Sequence, residues 1–172
     1  LRPFGESGGD GGFGRFSPSG KVPCLHDNGT VVWDSLAIVE YLAERHAGVW
    51  PADAIARAWA RSAAAEMHSG FTALRNTCSM NCGVRVRLHE VSAALRADIA
   101  RLEALWTDGL ARHGGPWLGG AEFSAVDAFY APVAFRVQTY ELPLDPVARG
   151  YVDRLLALPA MRDWHAGAMA ER

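Results

Sequence analysis

Apolar residues change their spacing along this chain, and the changes mark out its elements. Near the start they fall in two short runs, Val22-Pro23-Cys24-Leu25 and Val31-Val32-Trp33, on either side of Asp27-Asn28-Gly29. Short apolar runs bounded by turn residues read as strands, and Asn-Gly between them signals a hairpin. The pattern predicts strands over 22–26 and 30–33. Proline has no amide hydrogen, which confines Pro23 to an edge or a bend. The residue before it is held extended, so Val22 presents backbone groups that the ladder need not consume. The spacing then becomes helical. Leu36, Val39, Leu42 and Ala43 share one face of a helix predicted over 35–45, which His46-Ala47-Gly48 ends before Pro51.

From Asp53, a predicted N-cap, long helices rich in Ala and Arg follow. Ile55, Trp59, Met67, Phe71, Leu74 and Cys78 form one apolar stripe, predicting a continuous helix with Gly70 in its interior at a cost of about 1 kcal/mol. Residues 80–87 break the pattern. Ser92 is placed to cap the next helix, carrying Leu95, Ile99, Leu102, Leu105 or Trp106, and Leu110, until Gly114-Gly115-Pro116 stops it. Phe123-Ser124-Ala125-Val126-Asp127 predicts a helix start. Ser124 caps, Asp127 reaches back to close the box, and Phe123 begins a hydrophobic staple. That helix carries Phe129, Tyr130, Val133, Val137 and Tyr140; shorter ones are predicted over 145–156 and 159–170. The order is a small α/β piece followed by an all-α bundle of about five helices. The domains are expected at 1–48 and 53–172. Residues 1–15 are glycine-rich, which reads as a mobile loop because ordering glycine loses the most entropy.

Composition narrows the classes of function. Apolar residues make up 49% of the chain and charged residues 21%, as in an ordinary globular protein. A formal net charge of −2 gives no electrostatic reason to expect nucleic acid or an anionic membrane as partner. No apolar run approaches the roughly 20 residues that span a bilayer, and no signal-peptide pattern opens the chain. The three cysteines, Cys24, Cys78 and Cys82, lack a disulfide framework, which points to reduced thiols and a cytoplasmic location.

Candidate chemistry sits at two places. The first joins an edge backbone at Val22 to a helix N-terminus at Asp34-Ser35, whose unsatisfied N–H groups favour anions. Together these suit an extended, peptide-like anion. The second is the polar series His68, Phe71, Thr72 and Arg75, at i, i+3, i+4 and i+7. It reads either as a solvated or interhelical face or as the lining of a cleft. Glu66, His68, His89 and Glu90 do not make a metal site, because Glu66 and His68 are two apart and face different sides of a helix. Cys78 and Cys82 are expected to pack rather than to form a redox pair.

Ser17-Pro18-Ser19-Gly20-Lys21-Val22-Pro23-Cys24-Leu25, with Trp33-Asp34-Ser35-Leu36-Ala37-Ile38-Val39-Glu40-Tyr41-Leu42, resembles the glutathione-binding segment of cytosolic glutathione transferases. The Ser124–Asp127 box matches a further hallmark of that family. Glu66-Met67-His68-Ser69-Gly70-Phe71 is similar to bacterial members near the zeta class. The resemblance covers nearly the whole chain after Phe16. It implies a partial thioredoxin-like domain followed by the family's helical bundle, with the Val22–Pro23 bond cis. It also implies glutathione as cofactor or substrate. Lys21, Val22, Pro23, Asp34 and Ser35 would bind it: Val22 through its backbone, Asp34 and Ser35 at the γ-glutamyl end, Lys21 at the glycyl carboxylate. His68, Phe71, Thr72 and Arg75 would face a small electrophile.

The family's activating Tyr, Ser or Cys is implied to lie upstream, on a strand–helix–strand segment that does not precede these motifs here. The catalytic residue is therefore unassigned. Ser17 and Ser19 beside Pro18 read as turn formers, and Cys24 as pointing into the sheet core. The chain is read as a fragment of a longer protein rather than a degenerate homologue. The expected activity is conjugation of the glutathione thiolate to an electrophile, or its use in an isomerisation, in a detoxifying homodimer. A non-catalytic binding or scaffold relative is the alternative.

Overall fold

The computed structural model describes residues 12–171. The chain forms two compact units, divided between Val49 and Trp50. In the first, β1 (Cys24–Asp27) pairs antiparallel with β2 (Thr30–Trp33), and α1 (Ser35–Ala43) follows. Asn28 and Gly29 take φ of 46° and 86°, the left-handed pair that a two-residue hairpin turn requires. β1 starts two residues later than the apolar run suggests, leaving Val22 and Pro23 outside the ladder. The Tyr41 hydroxyl donates to Asp27 Oδ2 at 2.8 Å and ties α1 to the hairpin. α1 stops short of Arg45, whose guanidinium lies 3.7 Å from the centre of the Tyr41 ring and donates to the Tyr41 carbonyl. No residue of α1 is fully buried. Most of the loop expected over 1–15 lies outside the described residues; 12–16 form turns, with Ser17 N–H bonded to the Phe13 carbonyl at 2.8 Å.

The second unit holds six helices rather than five. The long helix expected after Asp53 is two: α2 (Ala54–Ser69) and α3 (Thr72–Thr77). Asp53 caps α2 through Oδ1, which accepts from Ile55 and Ala56. Gly70 is the C-cap, not an interior residue, and Phe71 stands in the left-handed region at φ 56°. A Cβ on Gly70 would sit 2.7 Å from the Glu66 carbonyl oxygen, so the break depends on the missing side chain. Of the predicted apolar stripe, Met67, Phe71, Leu74 and Cys78 are buried, while Ile55 is 73% exposed.

α4 (Ala93–His113) is capped by Ser92 and ends at Gly114, φ 74°. α5 (Ala125–Tyr140) runs through the core, burying Val126, Tyr130, Val133, Ala134, Phe135 and Val137. α6 (Pro146–Leu156) and α7 (Pro159–Ala170) complete the unit. Trp106 on α4 is fully buried against the rings of Tyr130 and Tyr151, 5.6 and 5.2 Å away. The Tyr130 hydroxyl donates to the Ala63 carbonyl of α2 at 2.9 Å, satisfying its polar end within an apolar core. Phe123 is 41% exposed and packs edge-on against Trp117. No helix among the described residues is long and apolar enough to cross a membrane.

Candidate functional site

The hairpin register brings the first candidate site together. Cys24 stands opposite Trp33 and Leu25 opposite Val32. The ladder ends at that Cys24–Trp33 pair, and the next residues of the two strands along the chain are Pro23 and Asp34, with Val22 and Ser35 after them. Two separate sequence motifs thus flank one end of the hairpin. The Val22–Pro23 bond is cis, as the resemblance implies. Among the described residues nothing accepts from the Val22 amide or donates to its carbonyl, and Val22 is 45% exposed. Lys21 is exposed, its amide donating to Ser19 Oγ at 3.3 Å.

Asp34 is the N-cap of α1, with Oδ1 accepting from the Leu36 amide at 2.9 Å. Its φ is 77° and its ψ 133°. A non-glycine residue there is strained by about 1–3 kcal/mol, and such strain gathers at functional sites. Ser35 is half-buried in the first turn of α1, where the helix dipole presents partial positive charge.

The neighbouring nucleophiles are placed differently from the sequence expectation. Cys24 does not enter an apolar core. It is half-buried, with Sγ 3.4 Å from the Phe16 carbonyl and 3.7 Å from His26 Nε2, and that nitrogen lies 2.6 Å from the same carbonyl. Ser17 is buried, its hydroxyl 3.2 Å from that of Ser19.

In the second unit the series His68, Phe71, Thr72 and Arg75 does not lie on one continuous helix. His68 is in the last turn of α2, Phe71 is the buried link, and Thr72 and Arg75 belong to α3. Arg75 donates through Nε to the Gly70 carbonyl at 3.1 Å and through Nη2 to the Met67 carbonyl, closing the end of α2. Glu66 is held by Arg101 of α4 in a two-point pair, at 2.6 and 2.8 Å. That pairing, opposed by partial burial, keeps the Glu66 carboxyl below its usual range. Cys78 and Cys82 are free, buried thiols, pushed up by desolvation, which makes them poor nucleophiles.

The structural capping box is centred on Asp127. Its Oδ2 accepts from the Ser124 amide at 3.0 Å, and Oδ1 from the Leu118 amide and the Tyr151 hydroxyl, each at 3.0 Å. The reciprocal half is loose. The Asp127 amide bonds the Ser124 carbonyl at 3.0 Å, and the buried Ser124 hydroxyl has no full hydrogen bond. Burial raises the Asp127 carboxyl despite its three donors.

Sequence reasoning passed over Arg136. It is half-buried on α5 and donates through Nε to the Cys78 carbonyl at 2.8 Å and through Nη1 to the Pro132 carbonyl at 3.2 Å. The available signal was a lone arginine within an apolar helix.

Residues 8–45 match the family model for the glutathione S-transferase N-terminal domain, and residues 85–167 that for the C-terminal domain. A probable maleylacetoacetate isomerase from Caenorhabditis elegans is 30% identical over 143 residues, covering 77% of this chain and 63% of that protein. The chain thus spans less than two thirds of that relative's length. A glutathione transferase homologue from Burkholderia, solved with bound glutathione, is 24% identical. It aligns with a TM-score of 0.63 over 90% of this chain and 77% of its own. A maleylacetoacetate isomerase from Methylobacterium extorquens AM1, solved with malonate and glutathione, is 25% identical. Its TM-score is 0.62, over 88% of this chain and 75% of its own. Two family models in the family's order, on a hairpin–helix unit and a helical bundle, identify the chain as a member of the glutathione S-transferase family.

Proposed function

We propose that this chain binds glutathione at the end of its hairpin and uses the thiolate on a small electrophile, by conjugation or isomerisation. The observation that supports this reading is the hairpin whose paired end, Cys24 opposite Trp33, is flanked by Val22-Pro23 on one strand and Asp34-Ser35 on the other. An unpaired backbone edge can bond the cysteinyl peptide groups of glutathione. Ser35 and the N-terminus of α1 can receive the γ-glutamyl carboxylate, and Asp34 its amine. Lys21 supplies a cation for the glycyl carboxylate. Glutathione supplies the reactive sulfur, and residues 1–48 hold and orient it. Residues 53–172 carry the second substrate on His68, Phe71, Thr72 and Arg75. Relatives solved with glutathione support the cofactor, and the isomerase relatives support the isomerisation arm. The working form is a cytoplasmic homodimer.

A second reading, a binding protein without catalysis, is favoured by the nucleophiles near the site. The Ser17 hydroxyl is buried against that of Ser19, and the Cys24 thiol is turned toward the Phe16 carbonyl. Calorimetric titration with glutathione tests the site. Asp34→Ala and Ser35→Ala should weaken binding about ten- to a hundredfold, since hydrogen bonds to charged groups contribute roughly 1.5–3 kcal/mol. Ser35→Ala should sit at the low end, because the helix N–H groups remain. Unchanged affinity in both folded variants would remove the site. A conjugation assay on the 172-residue chain then separates the two readings.

A further inference from the structure

We propose that Cys24, His26 and the Phe16 carbonyl form a binding site for one borderline-soft divalent cation, zinc, on one face of the hairpin. Cys24 and His26 are two residues apart on β1, and side chains at that spacing leave a strand on the same face. The chain before β1 turns back over that face. The Phe16 amide donates to the Phe13 carbonyl at 3.1 Å, the Ser17 amide to the same carbonyl at 2.8 Å, and the Gly20 amide to the Ser17 carbonyl at 2.9 Å. These bonds, with the Phe13 ring edge-on to that of Phe16 at 5.9 Å, hold the Phe16 carbonyl where both side chains reach it.

Three donor atoms of different chemistry close a small triangle. Cys24 Sγ lies 3.4 Å from the carbonyl oxygen and 3.7 Å from His26 Nε2, and that nitrogen lies 2.6 Å from the oxygen. A tetrahedral zinc ion, with bonds of about 2.0–2.3 Å, holds its ligands about 3.3–3.7 Å apart. The two sulfur distances already match such edges. The nitrogen–oxygen edge is a hydrogen bond in the metal-free chain and opens by about 0.7 Å when the ion replaces the hydrogen. His26 is exposed, so its ring has room to turn. The donor set selects the ion: zinc is favoured by thiolate and by imidazole alike, whereas calcium and magnesium take oxygen ligands. Among the described residues no third His, Cys, Asp or Glu joins the pair. The carbonyl is therefore the third ligand, the fourth position falls to water, and the affinity is below that of a site with four side chains. Binding releases the thiol proton to solvent, and the neutral imidazole keeps its hydrogen on Nδ1. The bound ion joins the turn at Phe16 to β1, a cross-link in a unit where no described apolar side chain is fully buried.

The site stands independently of the glutathione reading, and glutathione, whose own thiol binds metal ions, is left out of the test. The untagged, reduced full chain is titrated with cobalt(II) as a spectroscopic stand-in for zinc. One equivalent should bind, with a near-ultraviolet thiolate-to-cobalt band and the strong visible bands of four-coordinate cobalt, all bleached by added zinc. Cys24→Ser should abolish the thiolate band. His26→Gln, at an exposed position, should weaken binding at least about tenfold, whereas Cys82→Ala should change neither band nor affinity. Isotope-labelled parent chain reads the donors without any variant: zinc should move the His26 Nε2 and Phe16 carbonyl resonances together, saturating at the same equivalence. No thiolate band, a band that survives Cys24→Ser or is lost in folded Cys82→Ala, an affinity unchanged in His26→Gln, or an unresponsive Phe16 carbonyl would each overturn the site.

Discussion

At the scale of single residues, Asp34 and Asp127 do opposite work with the same carboxylate. Asp34 holds a strained backbone and a helix cap at the exposed end of the hairpin. Glycine takes positive φ without strain and costs only a few tenths of a kcal/mol at an N-cap. Asp34→Gly should therefore leave the denaturation midpoint unchanged or raise it, while glutathione affinity falls at least about tenfold. A parallel loss of both would make Asp34 structural only. Asp127 is wholly buried and satisfies three donors. Asp127→Ala would strand all three and should cost about 3 kcal/mol or more. Ser124→Ala removes a hydroxyl without a full hydrogen bond and should cost well under 1 kcal/mol, below the usual worth of a serine cap. Urea melts of the two variants check the asymmetry. Both capping-box residues were legible in the sequence, and the cis bond followed from the family resemblance. The unequal halves were not, because the donors from Leu118 and Tyr151 come from elsewhere in the chain.

At the scale of elements, the sequence read well where local chemistry decides and poorly where tertiary contact does. Asn28-Gly29 announced the hairpin, and Asp53, Ser92 and Gly114 marked helix ends that the structure keeps. The α2–α3 break was missed because the apolar spacing of Met67, Phe71, Leu74 and Cys78 runs through it. What ends α2 is the closeness of Gly70 to the Glu66 carbonyl, aided by Arg75 on the terminal carbonyls. Gly70 takes φ −107°, which any residue can adopt. The requirement is for space, and propensity alone would have Ala stabilise the position. We expect Gly70→Ala to destabilise by about 1–3 kcal/mol, as overpacking does. A gain of stability, measured by thermal melt, would return Gly70 to the role of a tolerated interior glycine. Phe123 adds a contact that local spacing did not show, edge-on against the ring of Trp117.

At the scale of the whole molecule, the two units differ in what holds them. The helical unit buries large side chains such as Trp106, Tyr130, Tyr151 and Phe135. In the hairpin–helix unit Ser17 is the one buried residue among those described, and no apolar side chain of α1 is fully buried. A two-stranded hairpin with one short helix and no fully buried apolar side chain opens at low free energy. Amides over 24–43 should therefore exchange with solvent far faster than those of α5. The proposed glutathione site lies wholly on this weaker unit, so ligand binding and local stability are linked. A ligand at about 100 times its Kd stabilises the binding form by roughly 2.7 kcal/mol, which slows exchange from the open state about a hundredfold. Saturating glutathione should thus protect 24–43 strongly and leave α5 nearly untouched, and Asp34→Ala should abolish the protection at equal ligand concentration. Protection that appears only in the helices, or that persists in Asp34→Ala, would place glutathione elsewhere and remove the role assigned to the hairpin register.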